Sequence, residues 1–138
     1  MSVDTCVFCK MVAGEIPVAK VYEDMEVLAF LDISPISDGH TLVIPKKHVG
    51  RLHDCPADVL AQLSSRLGRI ANAVATAMQA DGYNILCNNG RAAGQIVEHL
   101  HFHIIPRKEG DGLFVRWPAY KYGQGQIEAI AEKIRENL

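Results

Sequence analysis

Much of what would assign this chain to a specialised class is missing from its sequence. No apolar run is long enough to span a bilayer. No excess of basic charge is present either: Lys and Arg total 14 against 16 Asp and Glu, for a formal charge of −2. That balance argues against a protein that holds nucleic acid by bulk electrostatics. Met1-Ser2-Val3-Asp4-Thr5 lacks the features of a signal peptide, so the cytosol is the expected compartment. Cysteines are few, four in all. In the cytosol they stay reduced and serve as thiols or metal ligands, not as a disulfide frame. Internal repeats, low-complexity tracts and linkers are absent as well. What is present is 138 residues, 49% hydrophobic and 22% charged, enough for one soluble domain over 1–138 with a real core.

The apolar pattern assigns the elements. Ala19–Tyr22 and Val27–Leu31 read as two strands joined by a turn at Glu23-Asp24-Met25. Asp32 ends the second. Ser34-Pro35-Ile36-Ser37-Asp38-Gly39 is loop by composition. Thr41-Leu42-Val43-Ile44-Pro45 is short and continuously apolar, hence a central strand, and Tyr83–Asn88 is a fourth. Between them Pro56 suits the first turn of a helix and Asp58 its positive end. Leu60, Leu63, Leu67, Ile70, Val74 and Met78 recur at helical spacing, predicting one long helix that ends near Asp81-Gly82. The segment 107–122, which contains Trp117, is expected to be irregular, and Ile127, Ile130, Ala131 and Ile134 mark a C-terminal helix. Strands grouped around one long helix give an α+β class with an antiparallel sheet.

The chemistry concentrates in His99-Leu100-His101-Phe102-His103-Ile104-Ile105, closed by Pro106. Period-two alternation predicts a fifth strand, with His99, His101 and His103 on one face at steps of about 6.6 Å. Leu100, Phe102 and Ile104 then face a core. Three imidazoles on one face are costly unless each ring nitrogen finds a partner, which favours a functional row over three incidental surface residues. A catalytic zinc on these three rings is one alternative. A straight strand, however, spreads them over about 13 Å, too far for a single ion. Ahead of the row, Asn89-Gly90-Arg91-Ala92-Ala93-Gly94-Gln95 is a glycine-containing loop whose N–H groups could approach an anion. Cys6-Val7-Phe8-Cys9 has the gap that lets two thiolates share one metal. It is half a zinc site or a pair of free thiols.

These motifs are not isolated. Segments 8–17, Tyr22-Glu23-Asp24, 29–35, 40–48 and 88–106 together resemble, in order, the histidine triad family of nucleotide hydrolases and transferases. The resemblance covers the core, 6–107, and little of the extension 108–138. It implies a five-stranded antiparallel sheet with one long helix and a C-terminal helix, paired as a homodimer. It also implies hydrolysis of purine nucleoside monophosphate–X compounds (phosphoramidates or dinucleoside polyphosphates) through a nucleotidyl-histidine on His101. The main-chain carbonyl of His99 would fix the tautomer. His103 would contact the α-phosphate, and His40 would complete the cluster near His99. Asn88, Gly94 and Gln95 match the phosphate-side loop. Asp32 matches the carboxylate that grips the ribose. Phe8, Met11, Ile16, Phe30 and Ile33 match the apolar slot for the base.

In the zinc-carrying branch of the family the Cys-x-x-Cys pair is joined by two histidines, here His48 and His99. With Cys6 and Cys9 they would make a closed, structural site, with His53 as a competitor for His48. No organic cofactor is implied. The sequence departs from the family at Ile96, where a hydroxyl residue is common, at Ala93 and at Leu31. The departure at Ile96 keeps open an alternative: a nucleotide-binding regulatory protein with little turnover.

Overall fold

Strands whose residues are buried without alternation must be covered on both faces. Val27–Leu31 and Thr41–Pro45 are of this kind: nine of their ten residues are buried. The computed structural model describes residues 2–114 and 118–138; Met1 and Trp117 lie outside the described residues. It contains β1 (Lys20–Glu23), β2 (Val27–Leu31), β3 (Thr41–Pro45), β4 (Gly82–Leu86) and β5 (Phe102–Arg107) in one antiparallel sheet of order β1-β2-β3-β5-β4. Helices α1 (Val7–Val12), α2 (Ala57–Ala77) and α3 (Gln126–Arg135) complete the elements. The α+β antiparallel architecture expected from the sequence is the one observed.

The pleat sorts the core into two layers. Val27, Ala29, Val43 and Ile104 pack with Leu63, Ile70, Ala71 and Val74 of α2. Leu28, Phe30, Leu42 and Ile44 face the other way, onto Cys6 and Phe8 at the start of α1. Burying one such side chain contributes about 1.5–3 kcal/mol. Register carries this partition into β5. Phe102 lies opposite Val43 on the α2 side, and His103 lies opposite Leu42 on the α1 side.

The histidine strand is shorter than its alternation predicts. Pairing begins at Phe102, so His99, Leu100 and His101 precede the ladder. The reason lies in their main-chain bonds. The His99 carbonyl is taken by the side chain of His101, and the Leu100 N–H donates to the Val49 carbonyl at 2.6 Å. Neither group is left for a neighbouring strand. The two-faced sorting survives: Leu100 joins the α2 layer while His101 meets Phe8. Other boundaries differ too: β1 is shifted by one residue to Lys20–Glu23, β4 begins one residue early at Gly82, and β5 runs through Pro106 to Arg107 instead of closing there. Pro56 is the N-cap of α2 and not within its first turn, and the helix stops at Ala77, where Gln79 turns left-handed at φ 50°. The fourth strand ends at Leu86 instead of Asn88.

Candidate active site

Three elements bring the site together. Helix α1 contributes Cys9 and Phe8, with Cys6 as its N-cap; the ends of β3 contribute His40 and His48; the run into β5 supplies His99, His101 and His103. Two chains of hydrogen bonds then decide where each ring proton sits.

The first chain runs through His101. Its Nδ1 lies 2.6 Å from the His99 carbonyl oxygen, which can only accept, so Nδ1 carries the proton. Nε2 is left with a lone pair and has no protein partner among the described residues. A nucleophile is expected to stand open to solvent, yet His101 is only 6% exposed, packed edge-on against Phe8 at 5.2 Å and near His103 at 5.0 Å. Fully buried side-chain polar atoms without a partner are absent among the described residues. Unpartnered Nε2 therefore occupies the sliver of the ring that meets solvent. Burial pulls the pKa of His101 below the ordinary value, opposed by the bond to His99 and by the charge of Asp32.

The second chain begins on a main-chain N–H. Ile36 donates to Nδ1 of His40 at 3.1 Å, so His40 must carry its proton on Nε2. That Nε2 donates to Nδ1 of His103 at 2.9 Å, and His103 is left with its own proton on Nε2. A donor and a lone pair thus stand side by side, on His103 and His101. Burial, reinforced by His101 and His40, brings His103 down to about 4, which keeps it neutral. Burial also lowers His40, against the pull of Asp32, whose Oδ2 is 3.7 Å from Nε2. His40 was expected to complete the cluster near His99; it meets His103 instead. Thr41 pairs with Ile104, so its neighbour His40 lies beside the far end of the row.

The ring of His99 is turned away from the other two. Its Nε2–H donates to the Pro45 carbonyl at 2.8 Å, aiming the Nδ1 lone pair at Cys6 Sγ (3.4 Å) and Cys9 Sγ (3.6 Å). His48 Nδ1 is 3.2 Å from Cys9 Sγ, and all four ligand atoms lie within 4.8 Å of one another. A tetrahedral zinc with Zn–S near 2.3 Å and Zn–N near 2.05 Å separates its ligand atoms by about 3.3–3.8 Å. The spacing, the inward lone pair and the carbonyl behind His99 all fit a closed Cys2His2 site. Without a cation, burial and the neighbouring Cys6 push the Cys9 thiol up to about 11; a divalent ion reverses that. His53 lies elsewhere, beside Asp54. Asp32, His40 and His103 also converge. Their donor set fails the same test, since His40 Nε2 carries a hydrogen where a metal needs a lone pair.

The remaining predicted residues are placed less uniformly. Phe8 and Phe30 are buried and packed edge-to-face at 5.6 Å, Ile16 is half-buried, and Ile33 stands 96% exposed. Asp32 accepts the Ser34 N–H through Oδ1 and keeps Oδ2 toward His40. Gly94 is favoured by its φ of 91°, and a Cβ there would only touch the Asn88 side chain at 3.4 Å. Gln95 is buried with both ends of its amide bound, to the Gly90 N–H and the Gly50 carbonyl. Ile96 is 92% exposed.

Comparison with known proteins decides the family. The HIT domain pattern matches residues 13–110. The chain belongs to the HIT family. It is 53% identical over 131 residues to an uncharacterised HIT-like protein of Methanocaldococcus jannaschii, covering 95% of this chain and 97% of that one. It is 48% identical to the adenosine 5'-monophosphoramidase of Saccharomyces cerevisiae, over 96% of this chain and 82% of the yeast protein. An adenylylsulfatase of Arabidopsis thaliana is 50% identical across 79% of this chain and 55% of its own. Among solved structures, a HIT family member from Bacillus subtilis superposes with a TM-score of 0.89 at 44% identity, covering 97% of both chains. A zinc-bound histidine triad protein from Mycobacterium smegmatis gives 0.77 at 40% identity, covering 99% of this chain and 100% of that one.

Three groups of this HIT site escaped the sequence reading: the Pro45 carbonyl, the Ile36 N–H and the edge of Phe8 against His101. The first two are main-chain groups and leave no trace in residue type. Among the described residues no helix is long and apolar enough to cross a membrane.

Proposed function

We propose that this chain is a cytosolic hydrolase of purine nucleoside monophosphate–X compounds, acting by covalent nucleotidyl transfer. The observation that carries the reading is the His101 ring, with its Nδ1 proton committed to the His99 carbonyl at 2.6 Å and its Nε2 free. In the first step Nε2 forms a bond to the α-phosphorus, the P–X bond breaks, and X leaves with the electron pair. The ring becomes a cation, and its Nδ1–H bond to the carbonyl strengthens as it does so. His103, with a proton on Nε2, donates to a phosphoryl oxygen as charge builds there; such donors are commonly worth about 10²–10³ in rate. In the second step water attacks phosphorus and releases a proton to solvent, the P–N bond breaks, and the mononucleotide leaves as His101 regains its lone pair.

Asp32 is the candidate ribose contact, and Asn88 and Gly94 the phosphate-side loop. Cys6, Cys9, His48 and His99 would hold a zinc ion. Four protein ligands close the coordination, so the ion would tie α1 to the catalytic run and supply stability. The working form is taken to be a homodimer. The yeast relative is named for action on a phosphoramidate and the Arabidopsis relative for action on adenylyl sulfate, which supports a nucleotidyl enzyme tolerant of different X.

Rapid-quench labelling with adenosine phosphoramidate tests the reading. Wild-type protein should carry acid-labile label on His101, and His101→Ala should lose label and turnover by at least about 10³-fold. Undiminished turnover by His101→Ala would overturn it. Tight nucleotide binding with negligible turnover of every X would instead favour a regulatory protein.

A further inference from the structure

Most described arginines are committed. Arg66 pairs with Asp24, Arg107 with Asp111 and Arg135 with Glu132, while Arg69 lies over the Tyr22 ring. Arg51 and Arg91 have no such partner among the described residues. Both line one cleft of about 510 Å³, beside the glycine loop that runs into the histidines. Glu98 lines it too, so two cations face one anion and the cleft is net positive.

The two arginines are held in step. Arg51 follows Gly50 and Arg91 follows Gly90. Buried Gln95 bridges those two glycines, its Nε2 donating to the Gly50 carbonyl at 2.7 Å and its Oε1 accepting the Gly90 N–H at 2.8 Å. Asn89 adds a second bridge, accepting the Leu52 N–H at 2.7 Å. The main chain beneath both guanidinium groups is thus pinned, which lowers the ordering cost of gripping an anion. Gly94, Gln95 and Ile96 also line the cleft. Ile96 and His101 are five positions apart, a chain path of at most about 17 Å.

We propose that this cleft receives the departing group X and favours X that carries a phosphate or sulfate; this rests on the nucleotidyl-transfer reading above. Leaving-group chemistry points the same way. An amine must gain a proton as its P–N bond breaks, whereas a phosphate or sulfate departs as a stable anion. Ile96, the exposed side chain at this edge, has no O–H or N–H to give. Two guanidinium groups lining one cleft suit a departing oxyanion and do nothing for a neutral amine.

The test compares kcat/KM for adenosine 5'-phosphosulfate and diadenosine tetraphosphate with that for adenosine phosphoramidate. In an Arg51→Gln/Arg91→Gln protein the ratio of anionic to neutral leaving group should fall at least about tenfold. In Arg51→Lys/Arg91→Lys it should stay within about threefold. A general structural defect would lower both rates alike, and an unchanged ratio would overturn the proposal. Calorimetric titration with inorganic pyrophosphate is the second arm. Binding to wild type that vanishes in the double Gln protein supports the cleft; no binding to wild type, or equal binding to both, overturns it. Pyrophosphate binding lost in the double Gln protein together with an unchanged kinetic ratio would mark a site for free oxyanion and refute the leaving-group assignment. If wild type hydrolyses none of the three substrates, the nucleotidyl reading fails by itself, and the pyrophosphate titration still decides whether the cleft takes oxyanions.

Discussion

At the scale of single residues, proton positions matter more than distances. His40 holds a positioning role: it touches no reacting atom in the proposed reaction, yet its Nε2–H fixes which nitrogen of His103 is protonated. His40→Ala should lower kcat by about 10–100-fold. It should also move the acid limb of the pH profile upward, because His103 would lose both its donor and a neighbour that disfavours its charge. A purely structural role would leave that limb in place. In the wild type His103 sits at about 4 against an ordinary 6.5. Between those values the unfolded chain binds more protons than the folded one. Stability should therefore fall as pH drops from 6.5 to 4 and lose nothing further from this group below 4, at roughly 1.4 kcal/mol per unit at most. Urea melts at pH 7.5, 5.5 and 4 would measure it.

Among the elements, the loop between β2 and β3 sets His40 in place and packs closely on the end of α2. Gly39 has φ +86°, and a Cβ there would lie 2.5 Å from Met78 Cγ just past the end of α2. Gly39→Ala should cost about 1–3 kcal/mol by urea denaturation, with Met78→Ala recovering the steric part and leaving about 1 kcal/mol of backbone strain. Legibility varied from element to element. β2 and β3 were readable to the residue, because continuous burial writes a continuous apolar run. The start of β5 was not, since alternation persists through His99–His101 while the carbonyl that a ladder would need is engaged by a side chain. Helix α1, six residues with a cysteine N-cap, is too short to display a period.

For the molecule as a whole, the cysteines are where sequence and fold meet. The Cys-x-x-Cys pair announced half a ligand set; its partners were legible only through resemblance, because His48 and His99 are brought to it by the sheet. We expect about one zinc per chain by elemental analysis. Cys9→Ser should abolish retention of the metal and lower the melting temperature by roughly 10 °C or more, corresponding to about 3 kcal/mol or more. Zinc retained by Cys9→Ser would rule out this ligand set. Activity should survive in part, because the free Nε2 of His101 does not depend on a sulfur ligand. The restraint on His101 is a peptide oxygen and has no side chain of its own. Point mutation at position 99 can strip away an imidazole but leaves that acceptor in the chain. Nucleophile geometry can therefore be inherited intact by lineages that discard the metal, so long as the backbone keeps its path.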